Sequence, residues 1–213
     1  MTLDNFLPYV LPDVPGCPSV TAKRAVIDAA MDFLTYSGIW REVQEPIPLT
    51  PDINEYDLDA PTGALCIAVR DIYTSQGSLR PVTLSELAQL LPNWQTATAS
   101  APMYYTRSFD LTTLRLYPMP HEPNGETITV DAVYTLDQSA TSIPDVIVQR
   151  WRDVIVDGAK ARLKSMSKVA WADPGRAVKH QFDFELGRSR AKVQALYDNT
   201  TGSLTVRPRR FGA

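Results

Sequence analysis

The sequence is poor in the residues that most often carry covalent and metal chemistry. Its 213 residues include only two cysteines, Cys17 and Cys66, and two histidines, His121 and His180. Because these residues are few and lie far apart in the sequence, they do not predict a disulfide framework, a structural zinc site or a histidine-activated nucleophile. Phosphate-binding glycine loops and the motifs of serine and zinc hydrolases are also missing. We therefore expect a protein that is not an enzyme and has no metal or cofactor.

Long apolar runs are missing as well. No window approaches the roughly 18 consecutive apolar residues that a membrane span needs. The first six residues, MTLDNF, lack the basic and apolar regions of a secretory signal. With 44% hydrophobic and 21% charged residues, the composition is that of a globular domain. We expect no membrane contact and synthesis in a cytoplasm.

The charge is unevenly distributed, although the net charge is only −3. Residues 1–149 hold 7 Lys and Arg against 18 Asp and Glu, a net of −11. Residues 150–213 hold 14 against 6, a net of +8. A bipolar molecule of this kind can stack head to tail, dock an acidic partner or lie near nucleic acid. The alternative is two solvated faces that differ in sign.

Hydrophobic periodicity predicts a helix, then strands, then helices. The first eighteen residues contain four prolines and are predicted to form an extended arm. Ser19 is predicted to cap a helix that buries Val20 and Phe33 on one face and ends at Gly38.

From residue 45 to residue 143 the pattern changes to short strands. Residues 127–136 alternate with period two, and the apolar run of residues 65–74 loses its phase at Arg70, which indicates a bulge. Thr83 and Glu86 have the spacing of a capping box at the start of one short helix. These pieces predict a small antiparallel sandwich or barrel-like sheet.

After Pro144 the period returns to 3.6 and predicts a helical hairpin. The first helix is expected to run about 26 residues, to Ala170, and Gly158 in its middle would let a neighbouring helix approach closely. Asp173 and Pro174 are predicted to start the second helix. Its expected buried face consists of Val178, Phe182, Leu186, Val193 and Leu196.

The prediction is therefore an α+β protein, a helical bundle with an inserted antiparallel β-sandwich or barrel-like sheet. Its expected parts are an extended arm (1–18), a helical body (19–44 and 144–202), a β-rich insertion (45–143) and a basic tail (203–213).

Two basic features are candidates for binding. One is a row on the first hairpin helix, predicted to lie on an exposed face: Arg152, Lys160, Lys164 and Lys168. The other is the tail, where arginines and an aromatic residue suit docking into a partner groove: Arg207, Arg209, Arg210 and Phe211. A solvated helix face and a solubilising tail are the alternatives.

The order and spacing of several segments resemble the head-to-tail adaptor, or connector and head-completion, proteins of tailed bacteriophages. The segments, which span most of the chain, are SGIWRE (37–42), YDL (56–58), LRLYPMP (114–120), WRD (151–153), GAKARL (158–163) and WADP (171–174).

The resemblance implies a structural virion protein at the head-tail junction, made in the host bacterial cytoplasm. It implies a homo-oligomeric ring of usually twelve copies between the portal protein and a tail tube or nozzle protein, with genomic DNA passing through without sequence-specific binding. It also implies that the four tail residues contact the portal and that the basic row faces a sister subunit or the channel.

Two other functions remain open. The basic C-terminal helices are compatible with nucleic-acid binding, although a pI of about 5.4 argues against a dedicated binder. A hydrolase with a carbohydrate-binding sheet could use Trp94, Tyr104 and Tyr105 as a sugar platform, but aromatics at such spacing are more often core residues.

Overall fold

The computed structural model describes residues 1–108, 112–121 and 125–197, which form an α+β protein. The helices are α1 (Leu7–Val10), α2 (Ser19–Ser37), α3 (Leu84–Leu90), α4 (Asp145–Lys164) and α5 (Pro174–Leu196). The strands are β1 (Arg41–Val43), β2 (Ile47–Pro48), β3 (Glu55–Asp57), β4 (Ala64–Thr74), β5 (Gly77–Ser78), β6 (Arg80–Pro81), β7 (Thr98–Ala99), β8 (Tyr104–Arg107), β9 (Thr113–Tyr117), β10 (Met119–Pro120) and β11 (Thr127–Leu136). One hydrophobic core joins α2, α4 and α5 to the inner strands.

The N-terminal segment is helical and packed, so the prediction of an extended arm is wrong. It consists of α1 between two 3-10 turns, Leu3–Phe6 and Leu11–Asp13. Pro8 and Pro12 lie in the first turns of these pieces, where a missing N–H costs nothing. Phe6 and Val10 are fully buried, so burial of apolar side chains fixes the segment against the helical body.

Helix α2 ends as predicted, at Gly38 in the left-handed conformation (φ 60°). It begins at Ser19, but the residue in the cap position is Pro18, and no side chain caps the helix. Phe33 is buried as predicted, whereas Val20 is exposed.

The strands form three sheets. One has the order β1-β11-β4-β5 with β2 also paired to β11, another has the order β3-β9-β8-β6, and β7 pairs with β10. The pairs β6–β8 and β7–β10 are parallel, so the prediction of a wholly antiparallel sheet is wrong there. Because β1 pairs with β11, strand pairing begins at Arg41, before the predicted start of the insertion at residue 45.

The irregularity predicted in the long strand β4 is confirmed. Asp131 lies opposite Asp71 and the next residue, Ala132, lies opposite Val69, so Arg70 is the extra residue of a bulge. A second shift leaves Ile67 unpaired in the same way, and the sequence pattern did not predict it. The capping box of α3 is also confirmed, since Thr83 Oγ1 accepts from the Glu86 amide.

Helix α4 has 20 residues and ends at Lys164, so the prediction of a helix reaching Ala170 is wrong. Lys168 adopts a left-handed φ of 61°, a conformation that a continuing helix cannot contain. The Asp173 amide donates to the Lys164 carbonyl and closes the turn between α4 and α5. Asp173 then caps α5 by accepting from the Arg176 amide at 3.0 Å, as predicted.

The predicted buried face of α5 is wrong, because this face points away from the core. The five apolar residues assigned to it are exposed: Val178, Phe182, Leu186, Val193 and Leu196. The buried residues lie on the opposite side and are mostly small: Ala177, Phe184, Gly187, Ala191 and Ala195. A Cβ on Gly158 would lie 2.7 Å from the Phe184 ring, so the predicted close approach at Gly158 is confirmed. Small residues are buried here because α4 and α5 pack at short range.

Candidate interaction surface

Two lysines of the predicted basic row are used inside the chain. Lys160 forms an ion pair with Asp13, and the Lys164 ammonium donates to the Asp13 carbonyl oxygen at 2.7 Å. Lys164 is only 3% exposed. The prediction of an exposed face at these two positions is therefore wrong. Their long side chains instead hold the N-terminal segment against α4.

The electrostatics of this junction favour the ion pair. The hydrogen bond from Lys160 lowers the pKa of the Asp13 carboxyl below its ordinary value, burial opposes this effect, and the positive charge of Lys160 and Lys164 adds to it. On the neighbouring turn of α4, Asp157 Oδ1 lies 2.9 Å from His180 Nδ1 on α5. The junction thus ties the N-terminal segment, α4 and α5 together.

Arg152 is half-buried at the rim of a cleft. Its guanidinium donates to the Tyr9 hydroxyl at 3.1 Å, lies 4.3 Å from the centre of that ring, and contacts Asp153 at 3.0 Å. The adjacent cleft, between the N-terminal residues and the start of α4, has a volume of about 610 Å³. Its walls include the basic Arg150 and the acidic Asp145, so it has no single sign of charge.

The remaining basic candidates lie apart from this junction. Lys168 is exposed in the turn between α4 and α5. The four tail residues, Arg207, Arg209, Arg210 and Phe211, lie outside the described residues. The structure therefore does not bring the predicted row together as one basic surface.

Acidic side chains are exposed along β3. Glu55 is paired with Arg115 at 2.7 Å, and Asp57 and Asp59 are exposed beyond it. Tyr56 points inward from the same strand and is buried, because successive side chains of a strand point to opposite faces. This strand presents a solvated acidic face.

The aromatic residues considered for a sugar platform form no open platform. Tyr105 is 5% exposed, and Trp94 packs edge-on against Tyr117 with ring centres 5.5 Å apart. Tyr104 packs partly buried against the same cluster. Trp94 and Tyr104 therefore belong to a second small core beside α3, whereas Tyr105 belongs to the main core.

Sequence reasoning missed the residue that joins the three long helices. Asp32 on α2 accepts from Arg162 on α4 at 2.8 Å and from Arg188 on α5 at 2.9 Å. The Arg188 guanidinium also lies 4.4 Å from the centre of the Tyr36 ring. A lone aspartate on a helix carries no signal of such a role in the sequence, because both partners are more than 100 residues away.

Within residues 1–108, 112–121 and 125–197, no helix is both long and apolar enough to cross a membrane. The same residues contain no group of three or more His, Cys, Asp or Glu side chains arranged to hold a metal ion.

Comparison with known proteins identifies the family. The family model described as SU10 adaptor protein matches residues 1–210. The chain belongs to this family. The match covers nearly the whole adaptor and confirms the resemblance to head-to-tail adaptors of tailed bacteriophages. A search of curated proteins finds no match.

Membership of this family indicates the general role of the protein. It is a viral structural protein of the head-tail junction, of a family that is in general not enzymatic and that works with portal and tail proteins.

Proposed function

We propose that this chain forms an oligomeric ring, with twelve copies as the expected number, between the portal and the tail of a tailed bacteriophage. The ring extends the DNA channel and docks the tail tube or nozzle protein. Genomic DNA passes through it without sequence-specific binding. The protein is made in the cytoplasm of the host bacterium and acts in the virion.

The observation that carries this proposal is the separation of charge between the two parts of the fold. Residues 45–143, which hold most of the strands, have 4 Lys and Arg against 12 Asp and Glu, and residues 150–213 have a net charge of +8. Neighbours in a closed ring meet through two unlike surfaces of the same chain. Opposite charges on those surfaces favour one orientation and disfavour stacking of like faces.

Portal attachment is assigned to the tail residues Arg207, Arg209, Arg210 and Phe211. Arginine and aromatic side chains are the types that contribute most to binding energy at protein interfaces. Lys168 in the exposed turn and Arg152 beside the cleft are retained as contacts with a sister subunit or the channel. Lys160 and Lys164 are not retained, since both are engaged with Asp13 and largely buried, whereas the Arg152 side chain is 37% exposed.

Co-sedimentation with portal rings of the same phage tests the proposal. The full chain is expected to bind, and deletion of residues 205–213 should weaken binding while leaving circular dichroism and melting unchanged. Replacing Arg207, Arg209 and Arg210 together by Ala should act like the deletion, and replacement by Lys should keep part of the affinity. Full-strength binding by the truncated protein would remove the tail from the mechanism. A full chain that does not bind would contradict the ring itself.

A second candidate is nucleic-acid binding by the C-terminal helices. It is favoured by the exposed basic side chains that α5 still presents: Arg176, Lys179, Arg190 and Lys192. It predicts duplex affinity that falls steeply with salt, in proportion to the number of phosphates contacted. A titration at two salt concentrations distinguishes this candidate from the adaptor role, for which no appreciable duplex affinity is expected.

A further inference from the structure

Helix α5 has an apolar face that nothing in the described part of the chain covers. Its small inner residues pack on α4 and α2, while its outer face exposes Val178 (71%) and Phe182 (65%) together with Leu186, Val193 and Leu196. At 100° per residue the two faces lie on nearly opposite sides of the helix. A helix that is apolar on opposite sides is expected to be covered on both.

The outer face has the spacing of a coiled-coil seam. Phe182, Leu186, Ser189, Val193 and Leu196 follow one another at intervals of four, three, four and three residues. This alternation places side chains every 3.5 residues, the repeat with which two helices pack side by side over several turns. The small Ser189 at the middle of the seam allows a close approach of the two backbones.

The charges beside the seam have opposite signs in its two halves. Asp183 and Glu185 flank the first half, and Arg190 and Lys192 flank the second. Among the described residues, no ion pair engages Asp183 or Arg190, which leaves both available to a partner. When α5 lies beside a second α5 that runs in the opposite direction, the acidic half of each helix therefore faces the basic half of the other.

We propose that α5 pairs antiparallel with α5 of a second copy of this chain. In the register centred between Gly187 and Arg188, Phe182 lies opposite Val193 of the second copy and Leu186 lies opposite Ser189. In an antiparallel pair of helices, a residue beside the seam faces a residue at the same heptad position of the other helix. Asp183 then meets Arg190 of the second copy and Glu185 meets Lys192, and each contact occurs twice.

A groove beside the seam supports the same register. It has a volume of about 460 Å³ between α4 and α5, and its apolar walls include Ala161, Ala177 and Phe182. The antiparallel register brings Leu196 of the second copy to this end of the helix. Leu196 is exposed in the single chain and would be covered by the groove.

The area of the face predicts a reversible dimer. A whole aromatic side chain has about 150–250 Å² of surface. Scaled by their exposed fractions, the five apolar side chains each expose roughly 100 Å². Two copies then cover about 1,000 Å² of apolar surface, which lies at the lower limit of specific interfaces. The two-fold pairing closes at two copies, so it is a form of the free protein, and its existence does not depend on the proposed ring.

Analytical ultracentrifugation of the full chain, from about 1 to 100 µM and without portal, tests the pairing. We expect a concentration-dependent change from monomer to dimer, over a range typical of small interfaces. Phe182→Asp should abolish the dimer. The matched control is Val146→Asp on α4, which replaces an apolar side chain of similar exposure, 71% against 65% for Phe182, and should leave the dimer intact. Circular dichroism and melting check that both variants are folded.

A charge exchange tests the antiparallel register. Asp183→Arg places two positive groups together at each end of the pair and should weaken dimerisation at least about tenfold. Adding Arg190→Asp restores opposite charges in the antiparallel pair, so the double variant should return close to the original affinity. In a parallel pair the double variant would oppose acidic groups from positions 185 and 190, and dimerisation would stay weak.

Three results would overturn the proposal. They are a monomer at every concentration, a dimer unaffected by Phe182→Asp, and a double exchange that restores nothing. Because no portal is present, each of these results leaves the ring proposal untouched. Failure of portal binding, in turn, would not affect the dimer.

Discussion

Substitution of Gly158 by Ala should destabilise the helical body, because the position has no room for a methyl group. A Cβ there would lie 2.7 and 2.8 Å from two carbons of the Phe184 ring and 3.0 Å from the Ala29 Cβ. Ordinary van der Waals contact begins near 3.4 Å. Phe184 and Ala29 are both fully buried, so neither can move without displacing other core atoms.

Two opposing effects determine how far the free energy of unfolding changes. Ala is preferred to Gly inside a helix by about 1 kcal/mol, whereas overpacking a tight core costs about 1–3 kcal/mol. With three contacts below the ordinary limit, we expect a cost in the upper part of that range, about 2–3 kcal/mol, so that the free energy of unfolding falls by a net of about 1–2 kcal/mol. For a chain of this size the melting temperature should fall by about 2–8 °C.

Denaturant unfolding followed by circular dichroism measures the effect, with Gly175→Ala as the control. Gly175 lies in the exposed first turn of α5, and its nearest neighbour atom would be 3.7 Å away, so stability there should be unchanged or higher. Adding Phe184→Leu to Gly158→Ala should cost less than the two changes summed. A Gly158→Ala protein as stable as the control would refute the close packing of α2, α4 and α5.

Three further predictions concern polar contacts, each tested by unfolding or melting. Lys164→Ala removes the hydrogen bond between the buried Lys164 ammonium and the Asp13 carbonyl and should cost about 2–3 kcal/mol. Lys168→Ala in the exposed turn should stay within about 0.5 kcal/mol, and equal effects of the two changes would contradict the assignment. Asp13→Asn should cost about 1 kcal/mol at pH 7. Because Lys160 lowers the folded pKa of Asp13 below its ordinary 3.8, this stabilisation is present above about pH 4 and is lost as the pH falls through the folded value. The original and Asp13→Asn proteins should then converge in acid, and a constant difference would be evidence against the ion pair. Thr83→Ala removes the α3 cap and should cost about 1 kcal/mol; no loss would mean that the cap is not formed.

The sequence predicted those parts of the fold whose signals are local. The Gly38 helix end, the Thr83 capping box and the Asp173 start of α5 each depend on two or three neighbouring residues, and all are confirmed. The bulge at Arg70 also belongs here, since a change in the phase of a strand is visible within a few residues.

The predictions were wrong where contacts between distant parts of the chain determine which side chains are buried. Helix α5 is apolar on two sides, and periodicity alone cannot tell which side meets α4. The side of α5 with the smaller residues is the one buried in the core. The lysines of α4 were expected to face solvent, but Asp13, about 150 residues earlier, engages Lys160 and Lys164. The N-terminal prolines suggested an extended arm because proline marks both extended chain and first helical turns.

The family could be recognised from the order of motifs, but the contact residues could not. Adaptor motifs are spread over most of the chain, and the family match covers residues 1–210. The assembly surfaces depend on which side chains remain exposed after folding. Folding engages Lys160 and Lys164 with Asp13, whereas it leaves the outer face of α5 exposed.

Electron microscopy of the purified protein mixed with portal rings of the same phage is the direct test of the proposed ring. We expect an added ring of density at the narrow end of the portal, with twelve-fold symmetry that gives the copy number. The same mixture made with the protein lacking residues 205–213 should show fewer decorated portals. Unchanged portals, with the full chain left free in solution, would contradict the proposed ring.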